Sequence, residues 1–261
     1  MKTIWLGAAA IIAFSAASSG QASAIETVLH SFTNGPDGGI PTAGMIFDKV
    51  GNLYGTAYAG GTILANGVVY KMSPPAVGKS AWTEMVLYRF KGVDGAHPIG
   101  GLVFDTSGNL YGTPGYGGNP LPNAGTVFKL TPPAPGKTAW TESVLHRFGS
   151  GADGRGPWSS LTIDADGNFL GTTSAGGKSN HGTVFKMMRP AVGQTAWTET
   201  VRYSFTGASG NGPIAGVIFD VSGNLYGTTS TGGAANMGTF FKLIPQHGAQ
   251  FAISQKESQR G

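Results

Sequence analysis

The sequence predicts an all-β protein, a β-propeller of four blades with four antiparallel strands in each. Three observations carry that prediction. The stretch "FDTSGNLYGT" at Phe104 recurs as "FDKVGNLYGT" at Phe47, "IDADGNFLGT" at Ile163 and "FDVSGNLYGT" at Phe219. Three further motifs recur in step with it at a nearly constant period. Glycine is abundant, with 44 residues, and only 11% of residues are charged, which suits short strands and tight turns better than amphipathic helices.

The chain starts with Lys2, an apolar run from Ile4 to Phe14 and a small-residue end at Ala22-Ser23-Ala24. That order of charged, apolar and small residues reads as a secretory signal peptide over residues 1–24. The run is too short to span a bilayer, and no second apolar stretch of spanning length follows. The expected mature protein is therefore soluble, with no membrane span. There is no cysteine, so its core alone must hold it outside the cell. The net charge is +4, and the basic residues are scattered. A nucleic-acid surface needs a basic patch or stripe, so that class is excluded.

The propeller domain is expected over residues 25–245, followed by a polar tail over 246–261. "VLHSF" at Val28 recurs as "VLYRF" at Val86, "VLHRF" at Val144 and "VRYSF" at Val201, spaced by 58, 58 and 57 residues. "GVVYKM" at Gly67 recurs at Gly125, Gly182 and Gly238, and "AWTE" occurs at Ala81, Ala139 and Ala196. Each repeat thus holds four β-rich segments bounded by Gly, Pro, Asn and Asp, the pattern of an antiparallel meander. A fixed period of this size with four strands per unit is that of a propeller blade. The first strand pair is joined by the Asp-x-x-Gly-Asn turn, in which the carboxylate caps backbone N–H groups and Gly108 supplies a positive φ.

The ends of the chain predict how the ring closes. The mature protein begins with an outer strand, Ile25 to Phe32, and ends on the first three strands of the fourth unit. The N-terminal strand should complete that last blade and remove its exposed edge. The competing arrangement is an open half-ring that pairs to eight blades, so monomer and dimer both stay open. Ala249 to Ser254 is a second candidate for the last strand.

The repeats resemble the Gloeo/Verruco (GloVer) tandem repeat of exported bacterial proteins. The resemblance rests on Gly-Asn-Leu-Tyr-Gly-Thr, the Gly-Gly after it, and Gly-Thr-Val-Phe-Lys-Leu, and covers nearly all of the mature chain. The third copy departs, with Phe169-Leu170 in place of Leu-Tyr. The resemblance implies export and a repeat architecture, and no catalytic residues.

Several side chains recur with the scaffold. Trp82, Trp140 and Trp197 are expected to wedge neighbouring blades together. Lys71, Lys129, Lys186 and Lys242 are expected to pair across strands with the glutamates of the Trp-Thr-Glu motif. His30, Tyr88, His146 and Tyr203 share one position, and a tyrosine does not replace a metal-ligating histidine. Only Asp164-Ala165-Asp166 has the two carboxylates that would begin a calcium site. No cofactor motif, nucleophile elbow or phosphate loop is present, so no cofactor, metal or catalytic residue is assigned.

Function is expected where the repeat breaks down, in the loops at one end of the blades. The loops from outer strand to next blade carry Asp37, Asp94 and Asp153, with His97, Arg155 and Trp158 as single residues. The loops between second and third strands add Tyr58, Tyr116, Asn119, Asn180 and His181. This rim would grip a glycan or protein ligand, which makes the expected function that of an exported, non-enzymatic binding module. Two alternatives remain open: a propeller hydrolase or lyase using His97, Arg155 or His181, and a structural repeat protein of the envelope.

Overall fold

The computed structural model describes residues 25–118, 123–149 and 151–245. The expected signal peptide, the polar tail with its candidate strand at Ala249, and Asn119 lie outside the described residues. Among the described residues there is no helix, and every sheet is antiparallel.

The first sheet orders β1 (Ile46–Phe47), β2 (Leu53–Ala57), β3 (Val68–Ser73) and β4 (Thr83–Arg89) as a simple meander. Between it and the next lies a short strand, β5 (Ala96–Pro98). The second sheet holds β6 (Val103–Phe104), β7 (Leu110–Gly112), β9 (Thr126–Thr131) and β10 (Thr141–Arg147), while β8 (Pro114–Tyr116) pairs with β5. After β11 (Gly154–Arg155) the third sheet holds β12 (Thr162–Ile163), β13 (Phe169–Thr173), β15 (Thr183–Met188) and β16 (Thr198–Ser204), while β14 (Ala175–Gly176) pairs with β11. The fourth sheet has three strands, β17 (Ile218–Phe219), β18 (Leu225–Thr229) and β19 (Thr239–Leu243).

The core lies between consecutive sheets. Phe90, just after β4, meets Phe128 of β9 edge-on at 5.2 Å between ring centroids. Phe148 meets Phe185 and Phe205 meets Phe241 in the same way, both at 5.0 Å. These rings are nearly all completely buried, so each joint combines large apolar area with favourable edge-to-face geometry. Two of the three tryptophans wedge joints as expected, while Trp82 packs on its own first sheet. Trp140 packs on Tyr54 of the preceding sheet at 6.5 Å and Trp197 on Tyr111 at 5.9 Å.

Two expectations are corrected. The N-terminal segment does not complete the fourth sheet: residues 25–33 carry no strand, and that sheet ends at β19. Phe32 packs on Tyr70 of the first sheet at 4.9 Å, and His30 reaches Asp37 at 3.5 Å, so the segment is held against the first sheet. The lysines of the third strands do not pair with the glutamates either. The register places Lys71 opposite Met85 and Lys186 opposite Thr200, one residue away from Glu84 and Glu199. Neighbouring residues of a strand point to opposite faces, so lysine and glutamate are on different sides of the sheet.

The same register explains the recurring aspartates. Asp105 accepts from the backbone N–H of Ser107 (2.8 Å) and Asn109 (2.9 Å), from Asn109 Nδ2 (2.6 Å) and from the Tyr111 hydroxyl (3.0 Å). Against the opposing effect of burial, the Asn109 and Tyr111 bonds hold its carboxyl below the usual range. Asp48 and Asp220 are held identically, with Tyr54 and Tyr226. In the third repeat Leu170 offers no hydroxyl, and Lys186 Nζ takes its place, 2.9 Å from an Asp164 carboxylate whose side chain has 0% exposure. An ammonium therefore pairs with Asp164, the first of the two carboxylates that resembled the start of a calcium loop.

Candidate aromatic binding rim

The turns from outer strands and the connections between second and third strands meet at one end of the sheets. They pair with each other: β5 with β8, β11 with β14, and single bridges Gly39 to Ala59 and Asn211 to Thr231. The rim is thus a row of small ladders, a stiffer platform than free loops.

The three candidate aspartates hold the turns of this platform. Asp37 accepts from Thr33 N at 2.9 Å and Thr33 Oγ1 at 2.6 Å. Asp94 accepts from Lys91 N at 2.8 Å and from the Tyr88 hydroxyl. Asp153 accepts from Gly149 N at 2.8 Å and Gly154 N at 2.7 Å, with His146 Nε2 3.4 Å away. In the fourth copy Ser209 Oγ does the same for Thr206 N at 3.1 Å. All four turns are closed from within the chain, by residues of the scaffold.

His146, Asp153 and Glu199 bring three possible metal-ligating atoms within 4.8 Å. The preceding joint sets the same positions with Tyr88, Asp94 and Glu142, and there a phenol holds the aspartate. What recurs is an anchor for the turn with a half-buried glutamate beside it. Burial, and then the nearby Asp94 and Asp153 carboxylates, push Glu142 and Glu199 up to about 7. Arg147 and Lys91 oppose this at Glu142, and His146 at Glu199. Groups raised in the folded state stabilise it most below their unfolded value near pH 4.5, and that contribution is lost as pH rises through 7. Unfolding free energy should therefore fall between pH 5 and 8, by about 1–2 kcal/mol per glutamate after allowing for solvent screening. Urea titrations of Glu142→Gln plus Glu199→Gln should show a flatter profile. An unchanged slope would mean that the two carboxyls ionise freely.

The remaining candidates form an aromatic row. Tyr58 stacks on His97 with centroids 4.5 Å apart, His97 meets Tyr116 edge-on at 5.8 Å, and Tyr116 meets Trp158 at 6.1 Å. All four are half-buried. His97 has φ +53 and its Nδ1–H donates to the Tyr58 carbonyl at 3.0 Å, so its ring is locked against that tyrosine. A cleft of about 600 Å³ opens beside the row. Asn66, Lys91 and Asn123 join Tyr58, His97 and Tyr116 in its lining. Sequence reasoning missed those three polar residues. The available signal was their position, just before the third strand and just after the outer one, where they flank the varying loops.

The other candidates stand apart from this cleft. Arg155 is exposed on β11, opposite Ala175. His181 binds the Asn211 side chain through Nδ1 at 3.0 Å and lies against Gly207, at the joint between third and fourth sheets. Asn180 accepts from Gly176 N at 3.1 Å and closes its own turn. His97, Arg155 and His181 thus occupy three successive joints.

The profile of the Gloeobacter/Verrucomicrobia repeat matches this sequence over residues 13–142 and again over 135–260. The chain belongs to the Gloeobacter/Verrucomicrobia repeat family. The two matches to the Gloeobacter/Verrucomicrobia repeat together span all four sheets and their Asp-turns. Among curated proteins none matches. Among solved structures, that of PorZ, a bacterial surface component of the type-IX secretion system of Porphyromonas gingivalis, is similar at 13% identity with a TM-score of 0.45, over 70% of this chain and 24% of that one. No helix among the described residues is long and apolar enough to cross a membrane.

Proposed function

We propose that this is an exported, non-enzymatic binding module, built of consecutive propeller blades, that holds a glycan on the rim between its first three sheets. The observation that carries the reading is the row Tyr58, His97, Tyr116 and Trp158, with amide and ammonium groups beside it. Aromatic faces stack on the apolar face of a sugar ring, while amides and ammonium groups serve its hydroxyls. A protein ligand would need a larger apolar patch than the single half-exposed Val93 beside this cleft. The hydrolase reading asks His97, Arg155 and His181 to converge, and their separate joints favour binding instead. Export rests on the first 24 residues of the sequence.

The test is a glycan array followed by titration calorimetry with the best oligosaccharide. Tyr116→Ala is expected to weaken binding by tenfold or more, with Arg155→Ala close to the parent. Loss of a stacked aromatic is worth about 1.5 kcal/mol on this scale. No binding to any glycan, or full affinity in Tyr116→Ala, would overturn the proposal.

A further inference from the structure

Every joint between consecutive sheets uses the same contacts. A threonine of the second strand donates across it: Thr56 Oγ1 to the Gly100 carbonyl (3.3 Å), Thr113 Oγ1 to that of Ser159 (2.6 Å), and Thr172 Oγ1 to that of Ala215 (2.9 Å). A backbone N–H of the next repeat donates back, His97 to the Asn66 carbonyl (2.8 Å), Gly156 to that of Ala124 (2.8 Å) and Gly212 to that of His181 (3.1 Å). The glycine that opens the third strand lies against the next repeat's proline, in the pairs Gly67 with Pro98, Gly125 with Pro157 and Gly182 with Pro213.

The two ends of the chain hold the two halves of one more such joint. At the trailing end Thr228, Met237 and Gly238 stand in the places of Thr56, Asn66 and Gly67. At the leading end Ile40, Pro41 and Ala43 stand in the places of His97, Pro98 and Gly100. The leading end even has the same backbone, with φ +57 at Ile40 against +53 at His97. Yet these halves face solvent. Thr228 is exposed, whereas Thr56, Thr113 and Thr172 are at most 1% exposed. Phe240 is 74% exposed, whereas Val69, Val127 and Val184 in its place are at 0%. The fourth sheet also lacks an outer strand among the described residues, and Val28–Phe32 carries the outer-strand motif without a strand partner.

We propose that the trailing end of one copy of this chain docks on the leading end of a second copy. Val28–Phe32 of the second copy then lies along β19 as the missing outer strand, while its Phe32 keeps its packing on its own Tyr70. Two such joints close a ring of eight sheets from two chains. A second copy is the occupant because three joints built from the same contacts leave this chain's own ends uncovered. Contacts between two different patches either close into a ring or run on as a filament. Closure hides both the unpaired edge of β19 and the exposed Phe240, Ile218 and Met237.

Light scattering on the secreted protein should return twice the mass of one chain across a wide dilution range. Chains carrying Ile40→Cys mixed with chains carrying Met237→Cys should oxidise to a species of two chains, since those backbones meet at hydrogen-bond distance in the other joints. Phe240→Glu should halve the mass while far-ultraviolet circular dichroism keeps its β signature. The mass of a single chain in the parent protein would overturn the proposal. So would a disulfide closing within one chain, or a ladder of longer species, when Ile40→Cys and Met237→Cys are combined in the same chain.

Discussion

Lys186→Met is expected to lower the unfolding free energy by about 3–5 kcal/mol, and Leu170→Tyr in the same chain to recover most of that loss. The Asp164 side chain is fully buried, and Lys186 Nζ lies 2.9 Å away on the neighbouring strands' shared face. Removing the ammonium strands a carboxylate in low dielectric, with the Asn168 amide and backbone N–H groups as its remaining partners. The other three repeats show the alternative that works. In them a tyrosine hydroxyl at the position of Leu170 reaches the same aspartate oxygen, at 2.9–3.1 Å. A tyrosine at 170 should therefore satisfy Asp164 without any cation. Thermal unfolding of the single and double variants checks this, with a midpoint temperature drop of roughly 10 °C for the single change in a chain of this size. If Leu170→Tyr deepens the loss, the hydroxyl does not reach Asp164 and the equivalence of the repeats fails at this point.

Gly125→Ala is expected to cost about 3–5 kcal/mol, while Gly136→Ala should cost about 1 kcal/mol. Both glycines have positive φ, +93 and +77, so both substitutions place an L side chain in the left-handed region. They differ in what a methyl group would meet. At Gly125 it would come within 2.5 Å of Pro157 Cδ and 2.6 Å of the Pro114 carbonyl oxygen. At Gly136 nothing lies within 4 Å. The difference between the two variants therefore measures how tightly the second and third sheets close on each other. Equal losses would show that backbone conformation alone accounts for the glycine, and that the joint yields. Thermal unfolding followed at 218 nm, where strand content reports, would separate the two results.

The Asp-turns were legible in the sequence because their hydrogen bonds span only two to six residues. Asp105, Ser107, Asn109 and Tyr111 meet within one hairpin, so the repeated string describes the backbone and asparagine contacts of all four turns and the tyrosine bond of three. Strand order within each sheet followed for the same reason, since each turn is short and joins neighbours. The wedging tryptophans were legible from period and size. The candidate aspartates of the rim were visible as residues, but their occupation was not. Asp94 is taken by Lys91 N and the Tyr88 hydroxyl, three and six residues away, but the loop varies from repeat to repeat and no recurring string announces the contact.

By itself the sequence determined the four repeats, the four segments of each, and the turn chemistry that joins the first two, because all of these rest on contacts near in the chain. Only the tertiary structure decided that Lys186 serves Asp164, that Tyr58, His97, Tyr116 and Trp158 line up across two joints, and that residues 25–32 stay against the first sheet. Tyr58 and Trp158 are connected through two joints between three sheets, and Phe32 meets Tyr70 38 residues further along the chain. Such contacts depend on the angle at which one sheet stacks on the next. That angle is a sum over buried aromatic and glycine contacts, and no local stretch of sequence contains it.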